Sequence, residues 1–232
     1  IGYAGTDDEV RRLYEAFGKR MVDEVGYYVQ TTVYKSTENH IGINSVEFAA
    51  KNDDNEAAGV YWYLGQAAGT TLGRNPSSVI YNGEYDLTYV TDRLEGEKAI
   101  REGKLVLHRV DGELRLLEDV NTFTNYSKHM TEDWSLNEVV RIVFQRAKDI
   151  TALFNKYYMH KVLNNQDGRA ALWADSVHHA QDVLQGQLGV IEEYAPEDTT
   201  VVKGIQKGGV VIHDAIQPVT TMTKLYMEIA IS

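Results

Sequence analysis

Two histidines stand side by side at His178-His179, another adjoins an acid at His213-Asp214, and carboxylates gather at Asp7–Glu9, Asp53-Asp54 and Glu192-Glu193. Residues of these types can hold a metal or pass a proton. The spacing speaks against both uses. His178 and His179 fall in a helical pattern, where neighbours point about 100° apart and do not readily share one ion. They read as solvent-facing or core-edge histidines. His213 and Asp214 fall in a strand pattern, where adjacent side chains take opposite faces, so a catalytic dyad is geometrically disfavoured. The acids at 7–9 and 53–54 sit where helices start, and capping accounts for them. His160 follows Tyr157, Tyr158 and Met159 at a helix end, where an imidazole meets exposed carbonyls. A carboxylate pair assembled in space stays open. No G-x-S-x-G, H-E-x-x-H, Walker A or zinc spacing occurs, and Gly65, Gly69 and Gly73 lie inside a helix with no strand leading in, so they make no dinucleotide fingerprint. The residues give no positive sign of catalysis, of a metal or of a cofactor.

The elements that must carry these residues are those of a mixed α/β chain. Thr6–Glu9 (TDDE) reads as a capping box, after which Val10, Leu13, Tyr14, Phe17 and Met21 share one face of a helix ending near Gly26. Strands are expected over 27–34 and 42–48, and this helix-then-strand order is that of a crossover unit. Beyond the polar break 52–55, a helix places Ala57, Tyr61, Leu64, Ala68 and Leu72 on one face. Ala58, Gly65, Gly69 and Gly73 form a second, small-residue face, which predicts a close-packed neighbour. A short strand at 86–90, a helix over 92–102 closed by Gly103 and a strand over 104–110 follow. Asp111-Gly112 then marks a two-residue hairpin returning through 113–119. Ser135–Glu138 reads as a second capping box opening the longest helix, with Leu136, Val140, Val143, Ala147, Ile150, Phe154 and Tyr157 along one stripe. After a turn at 164–168, Trp173, Val177, Ala180, Leu184 and Leu188 face one way. An acidic loop over 192–198 and two strands at 199–205 and 209–216 lead to the end of the chain.

The 232 residues can bury a full core in one or two domains. With 43% hydrophobic and 25% charged residues, the composition is that of an ordinary globular protein, with no apolar run long enough to span a bilayer and no signal peptide. Zero cysteines exclude disulfides and thiolate sites and fit the reducing cytoplasm. The formal charge of −11, with basic residues scattered among acids, disfavours nucleic-acid binding and favours solubility. The start at Ile1 fits a fragment or processed form.

The closing stretch organises the rest. From Lys224, residues Leu225, Met227, Ile229 and Ile231 alternate with Tyr226, Glu228 and Ala230, the period of a strand. A terminal strand can complete its own sheet or add to the edge of another subunit's. The wording AIQPVTTMTKLYMEIAI (215–231) resembles the C-terminal end of phage tail sheath proteins, the contractile-tail family that includes prophage and tailocin sheaths. Four further stretches are similar to that family in the same order: NEAAGVYWYLGQAAGTTLG (55–73), VTDRLEGEKAIREGKLVL (90–107), EDVNTFTNY (118–126) and NNQDGRAAL (164–172).

The resemblance implies a structural subunit, not an enzyme, with no cofactor. Its partners would be copies of itself in hexameric rings stacked into a helical sheath, the tail tube, and baseplate and tail terminator proteins, without nucleic acid or membrane. It would act in the virion tail after assembly in the host cytoplasm, contracting to drive the tube through the host envelope. The expected fold is α/β (α+β-like), a mixed, largely antiparallel sheet with packed helices. Residues 1–50 form a helix-strand segment, either the end of a preceding region or part of the same domain. Residues 51–232 form a C-terminal domain, with 217–232 as an exchange arm. The assembly strand is Lys224, Leu225, Tyr226, Met227, Glu228, Ile229, Ala230 and Ile231. The hairpin at 104–119 and the strands at 199–216 are the candidate acceptor edges. An α/β enzyme of unknown reaction is the alternative.

Overall fold

The computed structural model describes residues 1–223 and 225–229. The chain folds as two compact units: Ile1–Val140 with the segment that begins at Met222, and Arg141–Thr221.

The first unit is built on a parallel sheet. Strand β1 (Gly2–Tyr3), helix α1 (Asp8–Asp23) and strand β2 (Thr31–Tyr34) make the expected crossover, with Gly2 opposite Thr32 in parallel register. Strand β3 (Ile43–Val46) pairs with β2 in parallel. Helix α2 (Gly59–Gly69) and helix α3 (Arg93–Arg101) precede β4 (Lys104–Leu105), which closes the order β1-β2-β3-β4. Every residue of β2 and β3 is buried, Thr31, Thr32, Asn44 and Ser45 included, as befits parallel strands covered on both faces.

The first helix docks by an unexpected face. Its cap is Asp7, not Thr6: the Asp7 carboxylate accepts from the N–H groups of Glu9 and Val10 at 2.9 and 3.1 Å. Leu13 and Phe17, expected inside, are 70% and 49% exposed, whereas Glu15, Gly18 and Val22 are buried. Gly18 explains the turn of the helix. A Cβ there would stand 2.2 Å from Thr31 Oγ1, so its absence lets α1 lie directly on β2. Glu15 is satisfied beneath it, accepting from Ser36 Oγ at 2.6 Å. The small-residue face of α2 is also corrected. Beside Gly65 and Gly69 nothing lies within 4 Å of a Cβ position, and the close approach falls at Gly59, against the Phe48 ring.

The hairpin expected at Asp111-Gly112 forms between β5 (Leu107–Val110) and β6 (Glu113–Leu116). Both turn residues have positive φ, 51° and 85°, as a primed two-residue turn requires. Tyr34, Val46, Phe48, Val60, Tyr63, Leu87, Leu105, Leu107 and Leu116 join in one core. Beside it lies a buried polar knot. Asp119 accepts from Tyr63 Oη at 2.5 Å and Asn137 Nδ2 at 2.8 Å, and Asn137 Nδ2 also reaches Asn44 Oδ1 at 3.0 Å.

The longest helix, α4 (Asn137–Leu153), holds the boundary between the units. Ser135 belongs to the 3-10 turn before it and donates to the Glu132 carbonyl, so it does not cap α4. The buried line of α4 is Val139, Val140, Ile142 and Arg146, while Ala147 of the expected stripe is exposed. In the second unit α4 passes into a π-helical turn at Phe154–Tyr158. Helix α5 (Gln166–His178) likewise continues as a π-helical stretch, His179–Gln187. Leu172, Val177, Ala180 and Leu184 are its buried apolar side chains, while Trp173 and Leu188 are 37% and 49% exposed. Strand β7 (Ile191–Glu192), the hairpin strands β8 (Thr199–Lys203) and β9 (Val210–Asp214), and β10 (Gln217–Pro218) complete it. β10 pairs with β7, and β8 with β9, both antiparallel. The class is therefore mixed α/β: among the described residues, three antiparallel pairs accompany one four-stranded parallel sheet.

Candidate assembly surface

The expected assembly strand is Lys224–Ile231, of which Lys224, Ala230 and Ile231 lie outside the described residues. Leu225, Tyr226, Met227, Glu228 and Ile229 carry no regular secondary structure. Leu225 and Tyr226 are each 86% exposed, Met227 73% and Ile229 74%. Four large apolar side chains in five residues thus stand in water. Burying each would contribute roughly 1.5–3 kcal/mol, so the segment has a strong drive toward a surface that covers it.

The two candidate edges differ. On the β5–β6 hairpin both outer sides are taken. The Val90 N–H bonds to the Leu107 carbonyl at 2.8 Å on the β5 side, while Tyr81 N–H bonds to Leu114 O at 2.7 Å and Leu116 N–H to Val79 O at 3.1 Å on the β6 side. The β8–β9 ribbon is two-stranded. Its ladder is bracketed by Gly204 N–H to Gly209 O at 2.8 Å and Ala215 N–H to Asp198 O at 3.0 Å. By the alternation of an antiparallel ladder, Val210, Ile212 and Asp214 then aim their main-chain groups away from β8. Among the described residues no strand lies on that side. On the opposite edge the Thr199 carbonyl accepts from Trp173 Nε1 at 2.8 Å. One face of the ribbon is exposed as well, with Val202 opposite Val211 and Ile205 at the tip.

The ribbon is pinned at its root by a group that the sequence reading passed over. Arg146, 3% exposed, donates from Nε and Nη2 to the two Asp214 carboxylate oxygens at 2.7 and 3.2 Å, from Nη2 to the Ser176 carbonyl at 3.0 Å, and reaches His179 Nδ1 from Nη1 at 2.9 Å. His179 Nε2 stands 3.1 Å from Asp149 Oδ2. Thr199 Oγ1 donates to Asp214, and Tyr194 Oη meets Thr199 Oγ1. Burial, then the Arg146 guanidinium, hold the His179 imidazole below its ordinary value; burial raises the Tyr194 phenol. The two adjacent histidines are thus unlike: His178 is exposed with Asp182 3.7 Å away, and His179 is enclosed. His213 is exposed and Asp214 turns to Arg146, so they form no dyad. The clue to this cluster was Arg146 with Asp149 on the line of Val139 and Ile142, one residue off the apolar stripe as read.

An open cleft of about 360 Å³ in the first unit is lined by Glu47, Glu95, Glu102, Lys98 and Lys104. Glu102 is held below the usual carboxylate range by its bond from Lys104, the wrong direction for a proton donor. Among the described residues no three metal-ligating side chains gather, and no helix is long and apolar enough to cross a membrane.

Residues 129–232 match the family model of the phage tail sheath C-terminal domain, so the resemblance read from the motifs holds over this part of the chain. That family is one of structural proteins. Among individual proteins, the chain is 21% identical to the phage-like element PBSX protein XkdK of Bacillus subtilis, over 97% of this chain and 51% of the relative. The fold is that of the sheath tail protein of Desulfitobacterium hafniense (TM-score 0.82, 23% identity, 94% of this chain and 52% of that one). It is also that of the helical sheath of the anti-feeding prophage in its contracted state (TM-score 0.70, 15% identity, 97% of this chain and 67% of that one). The chain spans about half the length of the curated relatives it matches.

Proposed function

We propose that this chain is the C-terminal part of a contractile tail sheath subunit, which polymerises around a tail tube and contracts to drive the tube through a host envelope. Residues 224–231 are donated as a strand to a neighbouring subunit, and the outer edge of β9 receives the guest. The observation that carries this reading is that, among the described residues, the apolar side chains of Leu225–Ile229 are exposed and no strand pairs with the outer edge of Val210–Asp214. Each ladder bond contributes only about 1 kcal/mol net, yet several in series tether a subunit while the rest of its contacts rearrange. Donor and acceptor are different surfaces, so the contact is heterologous and propagates into rings and a stacked helix. Hexameric rings, a tail tube within, baseplate and terminator proteins at the ends, and a place in the virion tail after assembly in the host cytoplasm complete the proposal.

The chain has no cysteine, which makes a direct test available. Met227→Cys combined in turn with Val210→Cys, Ile212→Cys and Asp214→Cys is oxidised in assembled sheath and run on non-reducing gels. A ladder of covalent multimers is expected from at least one pair. Assembled sheath in which none of the pairs cross-links would remove β9 as the acceptor.

A further inference from the structure

We propose that His179 is a proton-operated latch on the β8–β9 ribbon: only its neutral form joins Arg146 to Asp149, and its protonation loosens the ribbon from α4 and α5. The geometry fixes the tautomer. A guanidinium has no acceptor, so the contact of 2.9 Å between Arg146 Nη1 and His179 Nδ1 requires an unprotonated Nδ1. The contact of 3.1 Å between Nε2 and the Asp149 carboxylate requires the proton on Nε2. A second proton can enter only at Nδ1, where it faces another N–H and a positive charge. The bond is then lost, and the imidazolium is pushed from Arg146 toward Asp149.

Groups from every neighbouring element bear on this site. From α4 come Arg146 and Asp149, the latter also accepting from Gln145 Nε2 at 2.7 Å. From β9 comes Asp214; from the 194–199 segment come Tyr194, Asp198 and Thr199. On its own helix, Asp182 lies nearest His178. Asp149 and Asp214 favour the imidazolium, but burial and Arg146 outweigh them and keep the ring below the ordinary histidine range. The folded form prefers neutral His179, so its stabilisation is complete above the unfolded value of about 6.5 and is lost as pH falls toward the depressed folded value. Arg146 is the consequence-bearing partner. It ties Asp214 at the end of β9 to the Ser176 carbonyl of α5, so slackening it frees the root of the ribbon. The inference concerns the second unit alone and stands whether or not β9 accepts a strand.

Hydrogen exchange on the whole chain, corrected for intrinsic rates, tests it. Protection of the ladder amides of Thr200, Val202, Val211 and His213 is expected to be lost progressively between about pH 7.5 and about pH 5, while β2 and β3 amides hold. His179→Gln keeps one acceptor and one donor but cannot titrate, so its ribbon protection is expected to be flat over that range; His178→Gln is expected to behave as the unaltered chain. An equal acid response in His179→Gln, or none in the unaltered chain, overturns the proposal. Imidazole NMR on the unaltered chain decides independently of any variant. A neutral Nε2–H tautomer that takes up its proton below the range of a histidine peptide supports the latch, and an Nδ1–H tautomer or an ordinary titration refutes it.

Discussion

Arg146 is the side chain whose removal should be felt most. Four hydrogen bonds run from its guanidinium to Asp214, Ser176 and His179, and it is almost wholly enclosed. Arg146→Ala removes the ties to Asp214, Ser176 and His179 and is expected to cost about 1–3 kcal/mol, read as a lowered urea midpoint for the second unit. Arg146→Lys keeps the charge but not the fork and should recover only part of it. In the first unit, Asp119→Ala removes the acceptor of the Tyr63 hydroxyl and leaves Asn137 Nδ2 with Asn44 Oδ1, and should cost about 1–3 kcal/mol by denaturant unfolding. At this scale the sequence was least legible. His178 and His179 are the same letter in the same helical pattern, and only packing by α4 and β9, remote in sequence, makes one exposed and the other a hydrogen-bonded link. Strand geometry did separate His213 from Asp214, the first exposed and the second turned to Arg146.

Elements were legible where local chemistry decides them and misread where docking does. The Asp111-Gly112 turn and the stop of α3 at Gly103 follow from short-range rules, and both are present. The face of α1 was not readable from hydrophobicity, because the missing Cβ of Gly18 and the buried pair Glu15 and Ser36 choose the side that meets β2. Strands β2 and β3 do fall inside the expected 27–34 and 42–48, but their burial on both faces was not readable, because four of their eight residues are Thr, Asn or Ser. Two glycines make this testable in opposite directions. Gly65→Ala, in open space inside α2, is expected to raise stability by roughly 0.5–1 kcal/mol. Gly103→Ala faces a positive φ of 69° and a Cβ only 2.6 Å from the Asn121 carbonyl oxygen, and is expected to lower stability by about 1–3 kcal/mol. Thermal melts of the two variants would separate them.

For the whole molecule, the mixed α/β class and the likeness to tail sheath proteins were legible, the first from alternating helix and strand patterns and the second from ordered motifs. The acceptor edge was not, because an edge is defined by what fails to pair with it. The sequence proposed two ribbons, and only the β5–β6 one proves covered by residues 79–81 and 90. The account turns on the closing residues serving another subunit's sheet. The measurement that bears on this most directly is negative-stain electron microscopy of the full-length parent protein with and without residues 225–232. Ordered tubes from the intact subunit and only unassembled particles from the shortened one are the predicted result. Tubes of unchanged width and repeat from the shortened subunit would contradict it.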